Sequence, residues 1–122
     1  MIYEQELCDK IIGCAIEVHR TLGSGYMEKL YEKALLIELK LSGLKAKAQM
    51  PVNVHYRGQL IGEYFADIVA ENKVILELKA CNSISPAHEA QLIQYLCASG
   101  FKVGYILNFA NPGKLAFSRK VV

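Results

Sequence analysis

Residues 65–80, "FADIVAENKVILELKA", read as two β-strands joined by a short turn, and their pattern leaves one workable register. Side chains alternate across a strand. On the second strand Val74, Leu76, Leu78 and Ala80 therefore share one face, and Ile75, Glu77 and Lys79 the other. The first strand divides into Ala66, Ile68 and Ala70 against Phe65, Asp67 and Val69. A turn centred on Asn72 joins the two purely apolar faces and sets Asp67 opposite Glu77. A slip of one residue would bury Asp67 among leucines, so pattern and turn agree. The two carboxylates are then cross-strand neighbours, with Cβ atoms about 5 Å apart.

Like charges directly opposed destabilise a sheet, and charged groups are rarely buried unless they are paired or bind a metal. Lys79 neutralises part of the charge, and a divalent cation would neutralise the rest. Magnesium suits such a place, because it takes one or two carboxylates, keeps several waters and accepts phosphate oxygens. It also lowers the pKa of a bound water and stabilises charge on phosphoryl oxygens. Lys79 could position that water or stabilise the developing negative charge. The plainer alternative is an exposed sheet face carrying an ordinary ion pair.

The remaining elements follow from periodicity and punctuation. Leu7, Ile11, Ala15, Val18 and Leu22 recur at three- and four-residue steps, which predicts an amphipathic helix over residues 4–22. "GSG" at 23–25 ends it, and Ser24 can cap a second helix over 26–41, closed by Gly43. "PVNVHY" alternates as a strand, and "RG" at 57–58 turns the chain into the next strand, 60–70. "ENK" at 71–73 then leads into 74–80. Ser85 is the expected N-cap of a third helix, with Pro86 at its first position and Gly100 just past its end. "FKVGYILNF" returns as a strand, "NPGK" is a turn, and "LAFSRKVV" is a last, edge strand. The order ααβββαββ predicts an α/β (α+β) fold with a mixed central sheet flanked by helices.

Its 122 residues fit one domain spanning 1–122. With 52% hydrophobic and 21% charged residues the chain is globular rather than disordered. No apolar run approaches the roughly 20 residues of a membrane span, and "MIYEQELCDK" is too polar for a signal peptide. Cysteines 8, 14, 81 and 97 form no zinc spacing, which predicts reduced thiols in a cytoplasmic protein. A net charge of +2 neither demands nor excludes a polyanionic partner. Lys45, Lys47, Arg57, Lys102, Lys114, Arg119 and Lys120 are scattered in sequence, and they would bind phosphates only by converging in space.

The spacing D-x9-E-x-K in "DIVAENKVILELK" resembles the signature of the PD-(D/E)xK nuclease superfamily. "GYMEKLYEKAL" at 25–35 is similar to the G-x-x-E-x-x-Y motif of the GxxExxY protein family. "VHRTLGSG", "PVNVHYRG", "ELKACNSISPAHEAQLIQYL" and "GYILNF" also look like blocks of that family, so the resemblance runs over practically the whole chain. It implies a restriction-endonuclease-like αβββαβ core and metal-dependent hydrolysis of nucleic acid, DNA more than RNA, with Mg2+ or Mn2+. By resemblance Asp67 and Glu77 bind the metal, the backbone carbonyl of Leu78 adds a ligand, and Lys79 assists the attack. Glu28 resembles the helical acid that completes such sites; on its own it would read as a solvated acid favoured near a helix N-terminus. Tyr31 shares its helix face and would support it.

"QLIQY" resembles the Q-x-x-x-Y motif of RecB-like nuclease domains, which implies site roles for Gln91 and Tyr95. Four apart on a helix, they share a face: the amide could bond a water or phosphate, and the tyrosine the nucleic-acid backbone. As a bland alternative, Gln91 caps a polar pocket and Tyr95 is core. His88, one turn before Gln91, is a further candidate for substrate contact, or else fixes helix packing. His19 and Arg20 are expected to tie down the glycine turn. Ala66 stands where the superfamily signature has proline, which leaves Asp67 intact. No extra loop or domain for gripping DNA is evident, so a homodimer is one way to lengthen the surface. The second reading is a non-catalytic nuclease-like domain that binds nucleic acid or a protein partner; hydrolysis of another phosphodiester is a third.

Overall fold

The computed structural model describes residues 4–122; the first three residues of the polar opening stretch lie outside these. The elements follow in the expected order: α1 (Gln5–Leu22), α2 (Glu28–Leu41), β1 (Ala46–Tyr56), β2 (Gln59–Ala70), β3 (Val74–Lys79), α3 (Pro86–Ser99), β4 (Val103–Asn108) and β5 (Ala116–Val121). One five-stranded sheet carries them in the spatial order β1-β2-β3-β4-β5. Its pairs are antiparallel except β3–β4, which is parallel. A parallel neighbour requires a crossover, and α3 supplies it.

The helices cover both faces. Ile11, Ala15 and Val18 of α1 and Leu35 and Leu39 of α2 pack on Ile68, Leu76, Leu78 and Leu107 in one core. Leu92 and Leu96 of α3 close a second core against Val69, Ile75 and Ile106. The close approach of α3 depends on Gly104 of β4: a Cβ there would meet Leu92 Cδ1 at 2.8 Å and the Ile75 carbonyl oxygen at 3.0 Å. Covered on both sides, β3 is the central strand, and all its residues but Lys79 are buried.

Local chemistry sets the boundaries. Arg57 and Gly58 have φ of 49° and 79°, the two-residue turn that matches hairpin twist. Ser85 Oγ accepts the His88 N–H at 3.2 Å while His88 Nδ1 accepts the Ser85 N–H at 3.1 Å, a reciprocal cap for α3. Two expectations change. β1 begins at Ala46, five residues before "PVNVHY", because β2 is long enough to pair with it from Ala46↔Ala70 to Tyr56↔Gln59. α2 begins at Glu28 with Met27 as its N-cap, not with Ser24 as the cap and Tyr26 as the first residue. Buried Tyr31 explains the delay: its hydroxyl donates to the Gly23 carbonyl at 2.6 Å and accepts the Tyr26 N–H at 3.3 Å, which holds the glycine turn open as a loop.

Candidate active site

The β2–β3 ladder runs Ala70↔Val74, Val69↔Ile75 and Ile68↔Leu76, the register that opposes Asp67 to Glu77. At that next step side chains replace the backbone pairing. The Asp67 N–H donates to Glu77 Oε2 at 2.7 Å, and the Leu78 N–H donates to Asp67 Oδ2 at 2.8 Å. Each carboxylate thus satisfies a backbone donor of the opposite strand. A carboxyl oxygen accepts such a bond, so the strands part here without orphaned amides.

The other neighbour of β2 is irregular at the same point. The β1–β2 pairing passes from Ala48↔Ile68 to Met50↔Ala66 and skips Gln49 and Asp67. Gln49 has φ of 54°, a left-handed conformation unusual for a side chain with a Cβ. Both strands turn over at this step. Ala46 and Ile68 pack in the first core, whereas Met50, Val52 and Ala66 pack in the second. This corrects the expected alternation: Ala66 does not share a face with Ile68 and Ala70, and Asp67 does not point with Val69 toward α3.

Asp67 instead opens on a cleft of about 610 Å³, shared with Glu28, Lys29 and Glu32 of α2, Gln49 of β1 and Leu78 of β3. Glu32 is 4% exposed. Its Oε1 accepts the Gln49 side-chain amide at 2.7 Å, and its Oε2 pairs with Lys29 Nζ at 2.8 Å. Glu28 is exposed at the start of α2. Among the described residues no three His, Cys, Asp or Glu side chains form a ready-made metal cage. Asp67 and Glu77 are tied together through backbone N–H groups, and Glu28 and Glu32 line the cleft with Asp67.

Burial and neighbouring acids raise both carboxylates. Burial, then the Asp67 charge, pushes Glu77 up to about 8, against the opposing pull of the Asp67 N–H and Lys79. Asp67 is also raised, first by burial and then by Glu32 and Glu28, while the Leu78 N–H and Lys79 oppose the shift. Lys79 acts at a distance, for among the described residues it makes no ion pair within 4.0 Å. The ordinary ion pair that would account for these charges is not formed. At neutral pH Glu77 therefore holds a proton.

The other sequence candidates are distributed around this centre. Gln91 and Tyr95 share one face of α3 as expected, and they line a separate pocket with Val54, Tyr64 and Gln94. Burial raises the pKa of Tyr95, followed by the charges of Glu77 and Asp67, so its phenol lies within reach of both fields. His88 is spent on the cap of α3 through Nδ1. His19 Nε2 meets the Asn111 carbonyl at 2.8 Å, and its own carbonyl accepts the Gly23 N–H at 2.8 Å, so it ties α1 to two loops. Arg20 pairs with Glu17. Tyr31 lies in the core, stacked on Phe109 at 4.5 Å, and braces the loop from which Glu28 emerges.

Sequence reasoning passed over Glu32, Gln49 and Lys29. Glu32 carried a signal, since it lies four residues after Glu28 and so shares its helix face. Gln49 carried none, because a left-handed glutamine has no marker in sequence.

A family model of the PD-(D/E)XK nuclease superfamily matches residues 5–120. No curated protein matches the chain. The fold is similar to the crystal structure of SSO0001, with a TM-score of 0.56 and 16% identity, covering 76% of this chain and 48% of that one. The chain thus spans about half the length of that protein, and at such identity the likeness speaks for the fold alone. That fold is restriction-endonuclease-like, a mixed five-stranded sheet flanked by helices in the order ααβββαββ.

Proposed function

The chain belongs to the PD-(D/E)XK nuclease superfamily, and from that premise we propose that it is a divalent-metal-dependent nuclease cutting phosphodiester bonds, with DNA the preferred substrate. The observation that carries the reading is the Asp67–Glu77 pair, two neighbouring carboxylates bonded to backbone N–H groups across the strands, with raised pKa values and no direct cation partner among the described residues.

Nucleases of this superfamily generally use divalent metals, and the donor set fits one. Asp67 Oδ2 and Glu77 Oε2 are engaged by backbone N–H groups, which leaves one oxygen on each carboxylate for a hard cation. Asp67, Glu77 and the Leu78 carbonyl would hold it, with Glu28 at the rim as the acid that could complete the set. The chemistry such a cation supplies is activation of water and neutralisation of charge on phosphoryl oxygens.

This chain's own residues do the rest. The N–H groups of Asp67 and Leu78 fix the rotamers of the two carboxylates, so their free oxygens are preorganised. Lys79, in no ion pair among the described residues, can turn toward an attacking water or stabilise charge developing on the phosphate. Gln91 and Tyr95, on the α3 side, contact the substrate strand. The finer placement in the GxxExxY family rests on Gly25, Glu28 and Tyr31. We also place the protein in the cytoplasm and allow for a homodimer that lengthens the binding surface. Among the described residues no helix is long and apolar enough to cross a membrane.

The test is cleavage of single- and double-stranded DNA and RNA with Mg2+ or Mn2+, run beside Asp67→Asn, Glu77→Ala and Lys79→Ala. Metal-dependent cleavage lost in all three variants supports the reading. Cleavage that survives in all three assigns the activity elsewhere. Binding without cleavage by the wild type would replace it with a non-catalytic nuclease-like domain.

A further inference from the structure

We propose that the pocket between the β1–β2 hairpin and α3 is a nucleobase subsite, in which an unpaired base stacks on Tyr64 while Gln91 and Gln94 address its polar edge. The inference rests on reading the chain as one that acts on nucleic acid, and it names the part of the substrate that this side of the molecule takes.

The pocket has a volume of about 390 Å³, and its walls include Val54, Tyr64, Gln91, Gln94 and Tyr95, with no charged side chain among them. A neutral wall is poorly suited to phosphate, which is held by cations or by clustered N–H donors. An aromatic face beside two amides suits a base, which offers a π-face and an edge of donors and acceptors.

Tyr64 is set for this role by its surroundings. The residue is 48% exposed. It folds back along β2 across Gly62, where an added Cβ would meet Tyr64 Cε2 at 3.0 Å. On another side it lies 5.9 Å from the Tyr95 ring at an interplanar angle of 40°. Tyr95 is itself buried, so the exposed ring leans on a fixed one. The same Tyr95 connects this pocket to Asp67 and Glu77, whose charges act on its hydroxyl. A base held here lies on the α3 side of the sheet, with Tyr95 between it and the two carboxylates. Bases within a duplex are stacked on one another and cannot offer a face to Tyr64, so the subsite selects a single strand or an extruded base.

The experiment measures binding of labelled single-stranded DNA by fluorescence anisotropy in EDTA, where metal-dependent cleavage does not intervene. The probes are an ordinary oligonucleotide and one of equal length built of abasic sugar-phosphates. Tyr64→Ala is expected to weaken binding of the ordinary strand roughly five- to hundredfold, the range for loss of one base–aromatic stack. Tyr64→Phe should bind as the wild type does, and Tyr64→Ala should lose little on the abasic strand. Gly62→Ala, which pushes on the ring without changing its chemistry, should weaken the ordinary strand in the same direction. If the wild type binds both strands equally and Tyr64→Ala changes neither, the subsite is wrong while nucleic-acid binding stands. If the wild type binds no nucleic acid of any form, the subsite and the nuclease reading fall together.

Discussion

The backbone N–H of Asp67 donates to the Glu77 carboxylate at 2.7 Å across two strands whose ladder stops one step earlier. A carboxylate in the place of a carbonyl keeps the donor satisfied and lets the strands separate. It also buries an ionisable group, because Glu77 is only 5% exposed. The testable consequences begin with that burial.

In the metal-free protein Glu77 titrates near 8, up from an ordinary value of 4.5. Between those values the folded state holds a proton that the unfolded state has released, so stability falls as pH rises through this window. The cost is largest above about pH 8, where it amounts to several kcal/mol. Glu77→Gln removes the titration and keeps an acceptor for Asp67. In EDTA it should melt above the wild type at pH 9 and close to it at pH 4. Equal differences at both pH values would refute the assignment.

A divalent cation competes with that proton. Saturating Mg2+ or Mn2+ should raise the wild-type Tm, and the metal's apparent affinity should be higher at pH 8.5 than at pH 6. Asp67→Asn should abolish the rise while it keeps the bond from the Leu78 N–H. Titration calorimetry at the two pH values checks both points.

Gln49 and Glu32 should act as a coupled pair. Gln49→Ala leaves the buried Glu32 carboxylate without its amide donor, at a cost of about 1–3 kcal/mol. Gln49→Gly loses the same bond but relieves the left-handed backbone, so it should be the more stable of the two by about 1 kcal/mol. A double-mutant cycle with Glu32→Gln should return a coupling of about 0.5–3 kcal/mol. Additive effects in urea melts would disprove the link.

Tyr31→Phe removes one hydroxyl that serves both the Gly23 carbonyl and the Tyr26 N–H. It should cost about 1–3 kcal/mol and speed hydrogen exchange in residues 23–27, with the sheet amides unchanged. Uniform acceleration across the protein would instead mark a global loss of packing.

His88→Ala should lower stability by about 0.5–1.5 kcal/mol, the usual cost of one hydrogen bond, because Ser85 still caps α3. Once corrected for the folded fraction, its nucleic-acid affinity should match the wild type. A specific loss of affinity would return His88 to the substrate contacts.

Much of this was legible because local signals and global packing agreed. Ser85, Pro86 and Gly100 marked α3 to the residue, and the leucine pattern of β3 selected the register that brings Asp67 against Glu77. Hydrophobic burial enforces both, since any shift would expose leucines or bury charge. The faces of Ala66 and Asp67 were not legible. Their reversal falls opposite a positive φ at Gln49, whose side chain bonds a glutamate 17 residues away in sequence.

The sequence alone determined the elements, their order and the register of the hairpin that carries the two carboxylates, because each follows from short-range periodicity and turn chemistry. Only the tertiary structure decided what surrounds that pair. It buried Glu77 enough to keep its proton, drew Glu32 and Gln49 to the cleft, withheld an ion pair from Lys79, and set Tyr64 beside Tyr95 on the far side. Those outcomes depend on desolvation and on contacts between distant segments, which exist only once the helices close over the sheet.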